Sequence, residues 1–205
     1  DIDIDETDSI VLTKATTADG GITVDAGGAI AVTDVHSSAT DDDTNDISLT
    51  TTAGDIAVVS INAGSVNDIT LTAAGAITED GDAATVVRAD ELTATAGGSI
   101  TLDTTVATAD LAATGAGDID IDETDAITLA SVMTSDGSIT VDAGGAMTAT
   151  LVNSSATDDG TNDISLATTS GDIAVVTITA GSVNDVTLTS AGAITDADDT
   201  VTDIQ

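Results

Sequence analysis

Gly117-Asp118-Ile119-Asp120-Ile121-Asp122-Glu123-Thr124-Asp125-Ala126-Ile127-Thr128-Leu129 holds two short apolar alternations, Ile119/Ile121 and Ile127/Leu129. Alternation with a period of two marks a strand with one buried face. Only a few acidic and small residues separate the two strands. The same stretch opens the chain as Asp1-Ile2-Asp3-Ile4-Asp5-Glu6-Thr7-Asp8, an offset of 117 residues. The chain therefore reads as one continuous segment, 1–205, made of a long repeat, 1–117, and an incomplete second copy, 118–205.

The offset persists along the chain. ITVDAGGA at Ile22–Ala29 recurs at Ile139–Ala146, and GDIAVV at Gly54–Val59 recurs at Gly171–Val176. AGSVND at Ala63–Asp68 recurs at Ala180–Asp185. A shorter unit lies inside the long one: apolar-polar-apolar, a few small or polar residues, then apolar-polar-apolar again. It starts at Ile22, Ile47, Ile69, Leu92, Leu111, Ile139, Ile164 and Val186, in steps of 19–28 residues. A unit of that size cannot bury its apolar side alone, but stacked units bury it and pair each backbone with its neighbours. The pattern predicts an all-β parallel β-solenoid of about nine turns with no helices. A weaker third side is expected at Val35, Ile61, Val86/Val87, Val106, Ile127/Leu129, Val152 and Ile178. The alternative is a string of immunoglobulin-like sandwiches, which would show hairpins and aromatic core residues.

Composition agrees with a thin core. The chain has no aromatic residue, no Pro and no Cys, yet 41% of it is hydrophobic. Pro cannot donate to a ladder in which nearly every strand is central. Absence of Cys excludes disulfides and thiolate metal sites. Gly27-Gly28, Gly75, Gly97-Gly98, Gly144-Gly145 and Gly192 are expected at sharp corners, often with positive φ. A net charge of −35 with two basic residues argues against nucleic acid and anionic membranes as partners. No apolar run approaches the length of a membrane span. With neither an initiator Met nor a signal peptide, the chain reads as a segment of a longer protein.

GGITVDAGGAIAV, GDIAVV, AGGSITLD and NDITLTAAGAIT resemble the repeats of filamentous-haemagglutinin-like proteins and related giant bacterial surface proteins. The resemblance covers nearly the whole chain. It implies a right-handed parallel β-helix, an extracellular or cell-surface location, and a role as an adhesin shaft or surface fibre. It brings no catalytic residues.

Three kinds of chemistry remain to be weighed. A glycan-active enzyme needs a carboxylate pair in a cleft, usually with basic and aromatic residues against the sugar. The basic residues Lys14 and Arg88 align one long repeat on with Ser131 and Gln205, and His36 with Asn153. No cluster recurs, so no enzyme is expected. Acidic loops supply the oxygens that hard cations take. Asp41, Asp42, Asp43 and Asp46, their counterparts Asp158, Asp159 and Asp163, and the group Glu79, Asp80 and Asp82 are candidate Ca²⁺ ligands. Outward Asp118, Asp120 and Asp122, with Asp103 one turn below, are a second acidic group that a cation would relieve. Asn45, Asn67, Asn162 and Asn184 each precede an Asp and a strand, and are expected to bond backbone at corners. Outward Thr rows admit an ice-binding or glycan-binding module instead. The leading expectation is a structural rod segment, cation-stabilised, meeting adjacent repeats or other copies end to end, with a cell-surface or glycan ligand as a further partner.

Overall fold

The computed structural model describes residues 1–37, 44–79, 86–157, 160–197 and 203–205. Every strand pairing between named strands is parallel. A sandwich built from hairpins needs antiparallel neighbours, so the chain is a parallel β-solenoid, with no helix among the described residues.

Three faces make one turn. The first face stacks Ile2–Glu6, Ile22–Ala26, Ile47–Thr51 and Ile69–Ala73. The second stacks Ile10–Leu12, Ile30–Val32, Ile56–Val58 and Ile77–Glu79. The third stacks Ala15–Thr16, Val35–His36 and Ser60–Asn62, then the start of Val86–Ala96. The clearest column lies on the second face. It runs Ile10, Ile30, Ile56, Ile77, Ile100, Ile119, Ile139, Ile164 and Val186, nine turns in register. From Ile30 to Ile164 every member of that column is buried.

The core is one continuous cluster of Ile, Val, Leu and Ala, with Met147 the sole buried Met. Inward residues from three faces meet across a narrow interior, so aliphatic side chains fill it without aromatic rings. Burying each large aliphatic side chain contributes about 1.5–3 kcal/mol.

On the first face Ile22, Ile47, Ile69 and Leu92 share one inward column, as the pattern predicts. Leu111 does not continue it. Ala109 stacks on Leu92, and Leu111 stacks on Ala94 in the adjacent inward column. The step there is seventeen residues, shorter than the spacing of apolar starts suggests. In consequence the long repeat does not return to its own face. Ile22–Ala26 lies on the first face, whereas its counterpart Ile139–Ala143 joins the second-face column. The long repeat is thus five turns and one further face. The shift is tolerated because each face asks only for apolar-polar-apolar parity, which both strands satisfy.

Polar residues close the corners. Asp residues just before strands accept the backbone N–H one turn away: Asp46 from Asp68 at 3.0 Å, Asp118 from Ser138 at 2.8 Å and Asp163 from Asp185 at 2.8 Å. Asp55 does the same for Ala76, and Asp172 for Ala193. Asn side chains form a second set. Asn67 accepts from the Asn45 N–H at 2.9 Å and donates to the Ala63 carbonyl at 2.8 Å. Asn184 treats Asn162 and Ala180 in the same way. Asn45, Asn67 and Asn162 are fully buried, and their amides satisfy corner backbone groups that no ladder reaches.

The corner glycines have a different cause from the one expected. Gly27, Gly97 and Gly144 do not have positive φ. A Cβ at each would land on the carbonyl oxygen of Thr7, Ala74 or Thr124 in the neighbouring turn. Close backbone approach excludes a side chain there. Positive φ falls instead at other glycines, Gly54 and its counterpart Gly171 among them.

Leu71→Ala should lower the unfolding free energy by about 2–5 kcal/mol. Thr72→Ala, outward on the same strand, should change it by no more than about 0.5 kcal/mol. Urea denaturation followed by circular dichroism checks both, and equal costs would contradict the assigned alternation.

Candidate functional site

The candidate site is the acidic column on the outside of the second face. In-register stacking sets Asp122 directly between Asp103 and Asp142, one turn to either side. Asp120 lies in the adjacent outward position, between Thr101 and Thr140. Inward Ile119 and Ile121 force these Asp residues outward, as the alternation predicts. Neighbouring turns are about 4.8 Å apart, and like charges at that spacing destabilise the pairing. Burial, then the charges of Glu79, Asp122 and Asp120, push the Asp103 carboxyl above its ordinary value. Burial, then Asp122, Asp142 and Asp118, do the same to Asp120.

Three of the predicted cation ligands fall within the described residues. Asp46 and Asp163 are exposed corner residues, each holding the N–H of the next turn. Glu79 ends the strand Ile77–Glu79, half-buried, and adds its charge to the field at Asp103. Asp41, Asp42, Asp43, Asp80, Asp82, Asp158 and Asp159 lie outside the described residues. No group of three or more His, Asp or Glu among the described residues is arranged to hold a metal ion. The acidic column instead runs along the axis, from Asp103 through Asp122 to Asp142.

Sequence reasoning missed Glu123. Parity with Ile119 and Ile121 puts it inward, and the structure buries it to 4% exposure. It stacks between Thr104 and Ala143. Its Oε2 accepts the Thr104 hydroxyl at 2.8 Å and the Val106 N–H at 3.0 Å, and its Oε1 accepts the Asp125 N–H at 3.0 Å. The strand above turns away after Glu123, so the carboxylate replaces the carbonyl that would have continued the ladder to Val106. Burial raises its pKa. The hydrogen bonds from Asp125, Thr104 and Val106 oppose that rise, and the Asp125 charge adds to it. In the first repeat the equivalent Glu6 is exposed, because it lies in the end turn and stacks on Ala26 on one side only among the described residues. The signal was present in the strict alternation of DIDIDE.

Lys14 Nζ donates to Asp34 Oδ2 at 2.7 Å, with both side chains well exposed. His36 is half-buried and stacks between Thr16 and Asn62. The outward hydroxyl rows of the first face run Thr23, Ser48, Thr70, Thr93 and Thr50, Thr72, Thr95. Asp3 and Asp25 bound them at one end, Asp110 and Ala112 at the other.

The fold and site define an acidic β-solenoid. No family model matches the sequence, and no curated protein or solved structure proves significantly similar to it.

Asp103, Asp120 and Glu123 all have raised folded-state values, so the folded chain binds more protons than the unfolded one at intermediate pH. The stability they contribute is fully present below the ordinary carboxylate range and is lost as pH rises through their raised values. Melting temperature should therefore be higher near pH ~4.5 than near pH ~7.5. Asp122→Asn removes a charge acting on both Asp103 and Asp120. It should raise the melting temperature at neutral pH and flatten the pH dependence, as read by thermal melts across the range.

Proposed function

We propose that this chain is a structural segment of an extracellular bacterial fibre or adhesin shaft. The observation that carries the proposal is the nine-turn column from Ile10 to Val186, unbroken and in register. Such a column runs backbone hydrogen bonds parallel to the long axis, so bending or stretching the body strains many bonds at once. At about 4.8 Å per turn the segment is a rod of roughly 43 Å. The resemblance of its repeats to those of filamentous-haemagglutinin-like surface proteins supports the same role.

The end turns support axial continuation. Ile2, Ile4, Val186 and Leu188 pack against the core but are only partly buried. The strands that hold them have ladder partners on one side among the described residues. Such an edge accepts a further turn, from the same polypeptide or another copy. An ice-binding role finds less support, because the paired hydroxyl rows continue for only a few turns before charged or small residues replace them.

Cations belong to this reading as stabilisers. With 37 acidic side chains on a thin body, counterions relieve repulsion along the faces. Removal of divalent ions should lower the melting temperature. If the acidic loops bind Ca²⁺ specifically, Ca²⁺ should restore stability at concentrations where Mg²⁺ does not. Equal rescue by NaCl at matched ionic strength would reduce the effect to screening.

Small-angle scattering and electron microscopy test the shaft itself. Stiff rods, lengthening by end-to-end association as concentration rises, are expected. Compact particles with no elongated form would overturn the proposal.

A further inference from the structure

The third face carries a notch of defined origin. From Ile61 to Val87 the chain takes twenty-six residues to complete a turn, but from Val87 to Thr104 it takes seventeen. The short turn leaves a groove of about 430 Å³, lined along Arg88, Asp90, Thr105 and Val106, with Ser65 from the turn below and Asp125 from the turn above. Glu123 stands behind it, holding the Val106 N–H where the ladder stops.

Arg88 is the one arginine in the chain, and it is exposed. The one ion pair among the described residues joins Lys14 to Asp34, so Arg88 is unpaired there, although the chain has 37 acidic residues. Its guanidinium presents a planar fork of donors suited to a carboxylate. Asp90 and Asp125 supply acceptors, and Ser65 and Thr105 supply hydroxyls. No long apolar or aromatic side chain lines the groove, which argues against a lipid or an aromatic ligand.

We propose that this groove binds a carboxylated oligosaccharide of the uronic-acid type. The sugar carboxylate lies against Arg88, and the ring hydroxyls donate to Asp90 and Asp125. A singly charged carboxylate fits better than a phosphate monoester. Two nearby carboxylates repel a dianion more strongly, and they have use for neutral hydroxyl donors. The overall negative charge does not forbid the contact, because repulsion from distant carboxylates is screened beyond about 8 Å at physiological ionic strength. This inference extends the surface-shaft reading by giving the shaft a ligand, but the groove is tested independently of rod formation.

Isothermal titration of the 205-residue chain with tetragalacturonate, and with a neutral galactose tetramer, tests the site. Saturable binding of the acidic tetramer is expected, with the neutral one at least about tenfold weaker. Arg88→Gln should weaken the acidic tetramer by about tenfold or more while leaving the melting temperature unchanged, and Lys14→Gln should leave binding intact. Arg88→Lys keeps the charge but not the fork, and should fall between; it carries the test should Arg88→Gln fail to fold. No saturable binding, equal binding of both tetramers, or equal loss from Lys14→Gln would overturn the proposal. Rods seen by microscopy alongside such a result would leave the shaft reading standing.

Discussion

In this molecule strand residues face their counterparts one turn away, at a separation of about 4.8 Å, save where the register shifts between Ala109 and Asp110 and between Ala113 and Ala116. The parallel ladder imposes that pairing, and the rest of the structure answers to it. Like therefore stacks on like. An Ile under an Ile makes a dry column, as from Ile30 to Ile164. An Asp beside an Asp makes a strained one, as at Asp103, Asp122 and Asp142. The same rule puts the protein's order and its electrostatic burden in one geometry.

Much of the acidity has a local structural use. Asp46, Asp55, Asp118, Asp163 and Asp172 each hold an N–H of the adjoining turn at a corner. Asn45, Asn67, Asn162 and Asn184 tie down the corner chain beside them. A short polar side chain that accepts from backbone is what a tight corner needs. Asp103, Asp120, Asp122 and Asp142 do no such work. They add charge to an outer face without adding a bond between turns, and there the balance tips towards repulsion.

The fold was legible because period-two alternation and a recurring unit are both one-dimensional signals. Ile22, Ile47, Ile69 and Leu92 could be placed in one column from spacing alone. Leu111 could not, because the choice between Leu111 and Ala109 above Leu92 depends on how tightly the chain rounds its corners. The glycines show a related limit. Their positions were evident, but the close approach of Gly97 to the Ala74 carbonyl is a contact between turns and leaves no local trace. At the candidate site the stacking of Asp103 beside Asp122 could be anticipated from the alternation. Burial of Glu123 was written in the same alternation, but the habit of assigning charged residues to the outside hid it.

The long repeat advances five turns and one face, and this sets how the surface is displayed. Val66 and Val183 occupy the same place in the repeated AGSVND loop, yet they stand at different corners of the triangular cross-section, both exposed. A motif copied by duplication has thereby been turned about a third of the way round the axis. Were the 117-residue unit to recur, its third copy would occupy the remaining side and a fourth would realign with the first. Such a shaft has no back. Whatever one copy offers to its surroundings, the next offers in another direction, and three neighbours could be met at once without any twist of the chain.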